Sequence, residues 1–398
     1  MGNVPKLRFE GFSGEWENHT LRDVAEIVTG STPPTNDRTN YNGIFPFVSP
    51  GDIQGNRYIE HTSTTLTEKG FSMGRIIPAG SSLFVSIGST IGKVAQIKKA
   101  ATTNQQINAV VPQPDIDNDF IFSSLEMIAP EVRKIAATQA VPIVNKTTFG
   151  DSRLFLPSKL EQERVGKWFV IIDSFIALHQ RKCDALAKAK RFYLQNLFPR
   201  KGARTPAIRF DGFSGDWERP KLGDVFTEYS EKNHPELPPL TIIQGGGTVL
   251  REESDRDLQY DKSSLSGYKL VLKDDFIVHL RSFEGGLEKA NSDGIVSPAY
   301  HIFHGENTDA RFFYPFFRSE YFINGLLKPF VYGIRDGRSI DIEGMKTIKI
   351  SVPSIEEQKA IGSFIETLDT LIAQQNRKLT ALKTAKQFLL QNMFPQED

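Results

Sequence analysis

The nearest approach to a reactive loop in this chain is Gly88-Ser89-Thr90-Ile91-Gly92-Lys93-Val94. A nucleotide-binding loop needs four residues between its glycines and a Ser or Thr after the lysine to hold Mg²⁺. Here three residues intervene and Val94 takes the hydroxyl position. The stretch therefore reads as a hairpin turn that offers Thr90 and Lys93 to a phosphate or a base. Gly11-Phe12-Ser13-Gly14 lacks the Gly-x-Ser-x-Gly of a nucleophile elbow, so it reads as a turn anchored by Trp16. The single cysteine, Cys183, excludes a disulfide framework and a cysteine-based zinc site. Glu-x-Lys text such as Glu357 to Lys359 falls on a helix and reads as a solvated face, not a metal-nuclease constellation. No catalytic residue and no metal ligand is assigned.

The elements that position these residues are written twice. Leu156-Pro157-Ser158-Lys159-Leu160-Glu161-Gln162 opens a helical stretch that closes on Gln-Asn-Leu-Phe-Pro at Pro199. Val352-Pro353-Ser354-Ile355-Glu356-Glu357-Gln358 opens a second that closes on Gln-Asn-Met-Phe-Pro at Pro395, at a constant offset of 196. Ser158 with Glu161, and Ser354 with Glu357, have capping-box spacing. The two prolines mark the stops. A second repeat precedes each globular region: Pro5-Lys-Leu-Arg-Phe-Glu-Gly-Phe-Ser-Gly-Glu-Trp16 returns as Pro206-Ala-Ile-Arg-Phe-Asp-Gly-Phe-Ser-Gly-Asp-Trp217, offset by 201. The chain is one unit written twice: opening motif, variable region, long helix, stop.

Apolar residues follow a 4-3 register along both helices. The first seam is Val165, Phe169, Ile172, Ile176, His179, Cys183, Leu186, Lys190, Tyr193 and Leu197. The second is Ile361, Ile365, Leu368, Ile372, Gln375, Leu379, Leu382, Lys386, Leu389 and Met393. Such seams want partner helices. The polar breaks coincide, His179 with Gln375 and Lys190 with Lys386, so the two copies are expected to satisfy each other when packed antiparallel. About 39 residues make a rod of roughly 58 Å.

The variable regions, about 28–155 and 228–351, read as β-rich α+β domains. In the first, Leu83–Ile87 and Lys93–Ile97 flank the glycine turn, an amide-rich strand runs from Asn104 to Val111, and residues from about 120 to 138 are helical. In the second, Phe276–Arg281 and Gly294–Phe303 read as strands and Arg311–Leu327 as helical. Val278–Arg281 answers Phe84–Ile87, and Ser297–Phe303 answers Asn104–Val110. The framework text nearly coincides between halves while the globular text diverges. That is one scaffold carrying two different surfaces.

Lys plus Arg and Asp plus Glu each number 48, so the net charge is zero. A nucleic-acid binder is usually basic, so either the partner is not nucleic acid, or the contacts are local and other subunits supply much of the phosphate neutralisation. No apolar run approaches the ~20 residues of a membrane span, and the N-terminus has no signal-peptide core. A cytoplasmic setting is expected.

On the paired Pro-Ser-x-x-Glu-Gln starts, the Gln-Asn-Leu/Met-Phe-Pro ends, the two Arg-Phe-x-Gly-Phe-Ser-Gly-x-Trp openings and Thr103-Asn104-Gln105-Gln106-Ile107, the chain closely resembles the specificity subunit of type I restriction-modification systems. The resemblance runs essentially end to end. It implies an α+β fold of two target recognition domains joined by two long helices packed as an antiparallel coiled coil, pseudo-two-fold symmetric. The implied domains are 1–155, a central helix 156–199, a linker 200–205, 206–351, and a C-terminal helix 352–398. It further implies that each recognition domain reads half of a split DNA target. The helices are implied to set the gap and to dock two modification (methyltransferase) subunits, to which restriction (translocase–nuclease) subunits add. S-adenosylmethionine would belong to the methyltransferase, and ATP with Mg²⁺ to the restriction subunit, leaving no cofactor for this chain. A self-sufficient methyltransferase is the enzyme alternative. It needs Pro-Pro followed by Tyr or Phe, whereas Pro33-Pro34 precedes Thr35 and Pro238-Pro239 precedes Leu240. A structural coiled-coil adaptor is the other.

Base reading uses Arg or Lys on guanine and Asn or Gln on adenine. The first region offers Ser86, Thr90, Lys93, Asn104, Gln105, Gln106 and Asn108, with Arg57 and Arg75 on loops. About half of the Asn104–Asn108 side chains must face away, since neighbours in a strand point oppositely. The second region offers Arg281, Lys289, Tyr300, Arg335 and Arg338, with Arg251 and Arg256 weaker. His279 and His301 read as strand residues with ordinary partners.

Overall fold

The structure, a computed structural model, describes residues 3–136, 142–200, 202–254, 262–333 and 339–395. Two compact units emerge, Met1–Lys182 with Gln375–Asp398, and Cys183–Gln374. The long helices span Lys159–Asn196 and Ile355–Met393. Each unit is therefore one β-rich lobe with a portion of both helices.

The first lobe contains β1 (Glu17–Thr20), β2 (Ala25–Thr29), β3 (Tyr41–Val48), β4 (Thr64–Leu66), β5 (Ser82–Val85), β6 (Val94–Gln96), β7 (Thr102–Thr103), β8 (Ile107–Pro112) and β9 (Arg153–Leu156). The main sheet has the order β2-β8-β5-β6, a second is β4-β3-β7, and β1 pairs with β9. Alternation along the central strands sorts their side chains. Phe84 and Val110 face a core shared with Phe120, Ile121 and Leu125 of α1 (Asn118–Ala136). Leu83, Val85, Ile107 and Ala109 face Val48, Ile53 and Ile77 on the other side. The central strands are covered on both faces, which is why they read as nearly unbroken apolar runs.

The second lobe contains β10 (Phe226–Tyr229), β11 (Leu240–Ile243), β12 (Gly247–Leu250), β13 (Lys269–Val271), β14 (Phe276–Val278), β15 (Glu288–Lys289), β16 (Gly294–Val296) and β17 (His301–Gly305). Its sheet order, β10-β17-β14-β15, repeats that of the first lobe. Phe226, Phe276 and Phe303 pack on Phe312, Phe313 and Phe317, three aromatic residues of the helix Ala310–Phe317, here α3 after the first long helix, α2. Two expected strands are shorter. Phe276–Arg281 stops at Val278, and Gly294–Phe303 divides at Ser297-Pro298, because proline brings no N–H to the ladder. Arg311–Leu327 likewise divides, into α3 and a wider turn, Tyr321–Leu327.

The repeated motifs meet at one joint in each unit. Arg8 forks onto both oxygens of Glu161 at 2.8 and 2.7 Å and donates to the carbonyls of Ser13 and Gly14. Arg209 does the same to Glu357, Ser214 and Gly215, again with 2.8 and 2.7 Å to the carboxylate. The capping-box spacing predicts that these glutamates turn back to their helix starts. Instead the buried carboxylates take the guanidinium fork, the stronger charge-assisted partner. Gln162 donates to Pro157 O and accepts from Asp117 N, and Gln358 donates to Pro353 O and accepts from Asp309 N. Trp16 packs on Phe120 and Phe394, Trp217 on Phe312 and Phe198. The second long helix is α4 (Ile355–Met393). The Phe of each closing motif thus seals the tryptophan of an opening motif.

Within each unit the helix segments run antiparallel. In the first, His179 meets Gln375 at 2.8 Å, Asp173 meets Lys386 at 2.6 Å, and Phe169 meets Phe394 at 6.0 Å. In the second, Lys190 pairs with Asp369, and Tyr193 meets Phe364 edge-on at 4.8 Å. Every seam residue named above is buried or half-buried, Ile172, Ile176, Cys183, Leu186, Leu368, Ile372, Leu379 and Leu382 among them. A second row on α2 faces outward with the same spacing: Trp168, Ile171, Phe175 and Leu178 are 39–51% exposed. Among the described residues no helix is long and apolar enough to cross a membrane.

Candidate nucleic-acid interface

The first lobe gathers most of its expected base readers at one end of the main sheet. The turn after β5 and the segment before β8 are joined there by Ser86 N donating to Gln106 O at 2.8 Å. Gly88 and Gly92, both at positive φ, close the turn. The N–H groups of Gly88, Ile91, Gly92 and Lys93 all go to backbone carbonyls of the lobe. These four amides are therefore spent on the fold of the lobe. Gln105 is exposed and Gln106 half-exposed. Gln105 Oε1 accepts from Thr32 Oγ1 at 2.5 Å, and Asn104 Oδ1 accepts from Gln106 N at 2.8 Å. Arg75 is exposed at the same place, its guanidinium 2.5 Å from Thr29 O.

Three expectations fail on burial. Arg57 is 5% exposed. It donates to Asp173, Asp119 and Gln96 at 3.0, 2.8 and 3.0 Å, and its guanidinium lies 4.2 Å from the Phe122 ring centroid. It is an internal staple and cannot reach a base. Ser86 and Asn108 are buried too: Asn108 Nδ2 donates to Ser86 Oγ at 2.8 Å, and Thr29 Oγ1 donates to Asn108 Oδ1 at 2.7 Å. This chain of hydroxyls and amides lies beneath the exposed glutamines and holds the sheet end in shape. Lys93 is half-buried and donates to Ile53 O at 3.2 Å, while Thr90 stays at the turn surface, half-exposed.

The corresponding sheet end in the second lobe presents Arg281, exposed, after β14 and Tyr300, half-buried, before β17. Leu280, 69% exposed, sits beside Arg281. His279 Nδ1 accepts from Arg281 N at 3.3 Å, and its ring meets Tyr300 edge-on at 6.3 Å. Burial, then the charges of Arg318 and Arg281, push the His279 pKa down to about 4, so the ring is neutral at pH 7. His301 faces Glu228 at 2.7 Å. Lys289 is tied to Asp274 at 2.8 Å. Arg251 is half-buried near Tyr268. Arg256, Arg335 and Arg338 lie outside the described residues.

Sequence reasoning missed the Gly30–Thr32 loop as part of this surface. The signal was Gly30 itself. A Cβ there would meet Thr103 O and Asn104 O at 2.3 Å, so only glycine lets the loop lie against the amide-rich segment. Among the described residues no group of His, Cys, Asp and Glu could hold a metal ion.

Two lobes of common sheet order, each presenting a different polar tip and each pinned to a helix start by the same Arg–Glu fork, define a two-headed recognition protein. The chain belongs to the family of the type I restriction modification DNA specificity domain, which matches residues 13–188 and 304–384. It is 22% identical to the MjaIX specificity subunit of Methanocaldococcus jannaschii over 98% of this chain and 93% of that one. It is 24% identical to the MjaVIII specificity subunit of the same organism over 94% and 91%. The crystal structure of the S subunit of a type I restriction-modification system from M. genitalium superimposes with a TM-score of 0.65 at 14% identity, covering 99% of this chain and 100% of that one. The chain is a DNA-recognition subunit of the type I restriction-modification class.

Proposed function

We propose that each lobe reads one half of a bipartite, asymmetric DNA target and that the chain itself carries no catalytic centre. The first lobe reads through the Arg75, Gln105, Gln106 and Thr90 surface, the second through Arg281 and Tyr300. The paired helices fix the gap between half-sites. The observation that carries this reading is the contrast between joints and tips. The Arg–Glu fork, the Gln bridges and the Trp–Phe seal recur residue for residue, whereas the tips differ, with Gln105, Gln106 and Thr90 beside the arginine in one lobe and Tyr300 in the other. Invariant joints with divergent tips are what one frame for two specificities requires.

Modification subunits dock along the helices in this reading. The outward row Trp168, Ile171, Phe175 and Leu178 supports it, since four spaced apolar side chains left in water form a seam for a further helix. S-adenosylmethionine, ATP and Mg²⁺ belong to the partner subunits. A neutral chain suits this division, with partners holding much of the phosphate charge. The test is exchange of residues 28–155 for those of a chain with a different target. Methylation by the assembled complex is expected to change at one half-site only, and a change at both, or at neither, would refute it.

A further inference from the structure

The second unit holds a cleft of about 880 Å³ between the end of α2, the helix α3 and the stretch of α4 from Ile365 to Thr370. Its place is occupied in the first unit. The bridges Gln162–Asp117 and Gln358–Asp309, with the pairs Trp16–Phe120 and Trp217–Phe312, align α1 with α3 at an offset of 192. Asp119 then corresponds to Arg311, Phe122 to Tyr314 and Glu126 to Arg318. In the first unit Arg57 enters this place, seated on Phe122 and held by Asp119 and Asp173. In the second unit two of the acids have become arginines, and the cleft stands open.

Its charge is one-sided. Arg311, Arg318, Lys190 and Lys289 already have carboxylate partners. Arg191, Arg200, Arg219 and Lys349 line the cleft, are exposed, and form no ion pair among the described residues. Against these four stands one unpaired carboxylate, Glu320. The floor is apolar, from Phe198, Tyr314, Phe316 and Leu326.

We propose that this cleft docks an acidic peptide segment of a protein partner, carboxylates on the cationic rim and an apolar side chain on the aromatic floor. The first unit supplies the precedent: the same place accepts a charged side chain carried on polypeptide, with the sign of the surround reversed. A recess of this size, partly apolar, suits side chains of a short segment, whereas duplex phosphates are met by cations on open surfaces. The proposal goes beyond half-site reading and stands whether or not the tips read as assigned.

The test uses the full chain and a fluorescein-labelled decapeptide of alternating Glu and Ala with one central Phe, followed by anisotropy at low salt. Arg219→Glu with Lys349→Glu is expected to weaken binding at least tenfold. Lys99→Glu with Lys146→Glu, the same charge change on exposed residues of the first unit, is expected to leave it within twofold. Melting temperatures show that both variants are folded. Excess duplex DNA is expected not to displace the peptide. Equal affinity in all three proteins, or an equal loss in both variants, overturns the proposal. One-for-one displacement by duplex also overturns it and assigns the cleft to nucleic acid.

Discussion

His179 and Gln375 occupy the same position in the two long helices, 196 residues apart, and are hydrogen-bonded to each other at 2.8 Å. The two polar breaks therefore answer one another in an otherwise apolar seam. His179→Leu is expected to leave the Gln375 amide without its partner and to cost about 1 kcal/mol. Leucine at both positions is expected to recover that stability or exceed it. Urea midpoints of the two variants check the pair.

Glu161 and Glu357 are each 1% exposed. Each depends on a guanidinium fork, from Arg8 and Arg209. Removing one partner of a buried pair strands the other charge. Arg8→Ala and Arg209→Ala are each expected to cost about 3–5 kcal/mol, and lysine at either position to restore only part, since it lacks the planar fork. Urea titration of the four variants measures both differences.

Arg57 and Gln106 are expected to separate stability from specificity. Arg57→Ala leaves Asp173, 8% exposed, with one cation fewer. It is expected to destabilise by about 3–5 kcal/mol without changing the half-site preference of the folded complex. Gln106→Ala is expected to leave the melting temperature within 2 °C, as a half-exposed side chain allows, and to relax one half-site by about 1–3 kcal/mol per base pair contacted. Arg281→Ala is expected to relax the other. Binding to duplexes altered in one half-site at a time reads both outcomes.

His279 makes the second lobe sensitive to mild acid. Its folded pKa of about 4 lies below the ordinary 6.5. Between those values the unfolded chain binds a proton that the folded one refuses, so stability falls as pH drops through that window. Burial and the nearby Arg318 and Arg281 oppose the charge. His279→Gln is expected to melt with a smaller difference between pH 7 and pH 5 than the native chain, and an equal difference would contradict the assignment.

The frame was more legible in the sequence than the tips. Helix starts, stops and seams came from spacing alone, because a 4-3 apolar register and a fixed offset are one-dimensional facts. Arg57 reads as a loop residue in the sequence because its partners, Asp119 and Asp173, lie 62 and 116 residues away and only folding brings the three together. The burial of Ser86 and Asn108 is hidden from the sequence for a related reason. Strand alternation shows that half of the residues point inward but not which half. Glu161 and Glu357 carried the spacing of a local cap, and the longer-range fork from Arg8 and Arg209 prevailed.

The joints also bear on how such a chain acquires a new target. The Arg–Glu fork lies between the two recurring texts, one near each opening tryptophan and one along each helix start, while each Gln bridge reaches into the lobe and takes a backbone N–H there, at Asp117 or Asp309. Crossing-over within those texts would exchange a whole lobe as a cassette and leave the Arg–Glu fork with its proper partners, and the Gln bridges would survive because what each accepts from the lobe is a backbone N–H. The joint itself would carry over to a new lobe unchanged, whereas a pair peculiar to one lobe, such as Arg311 with Glu366, would not.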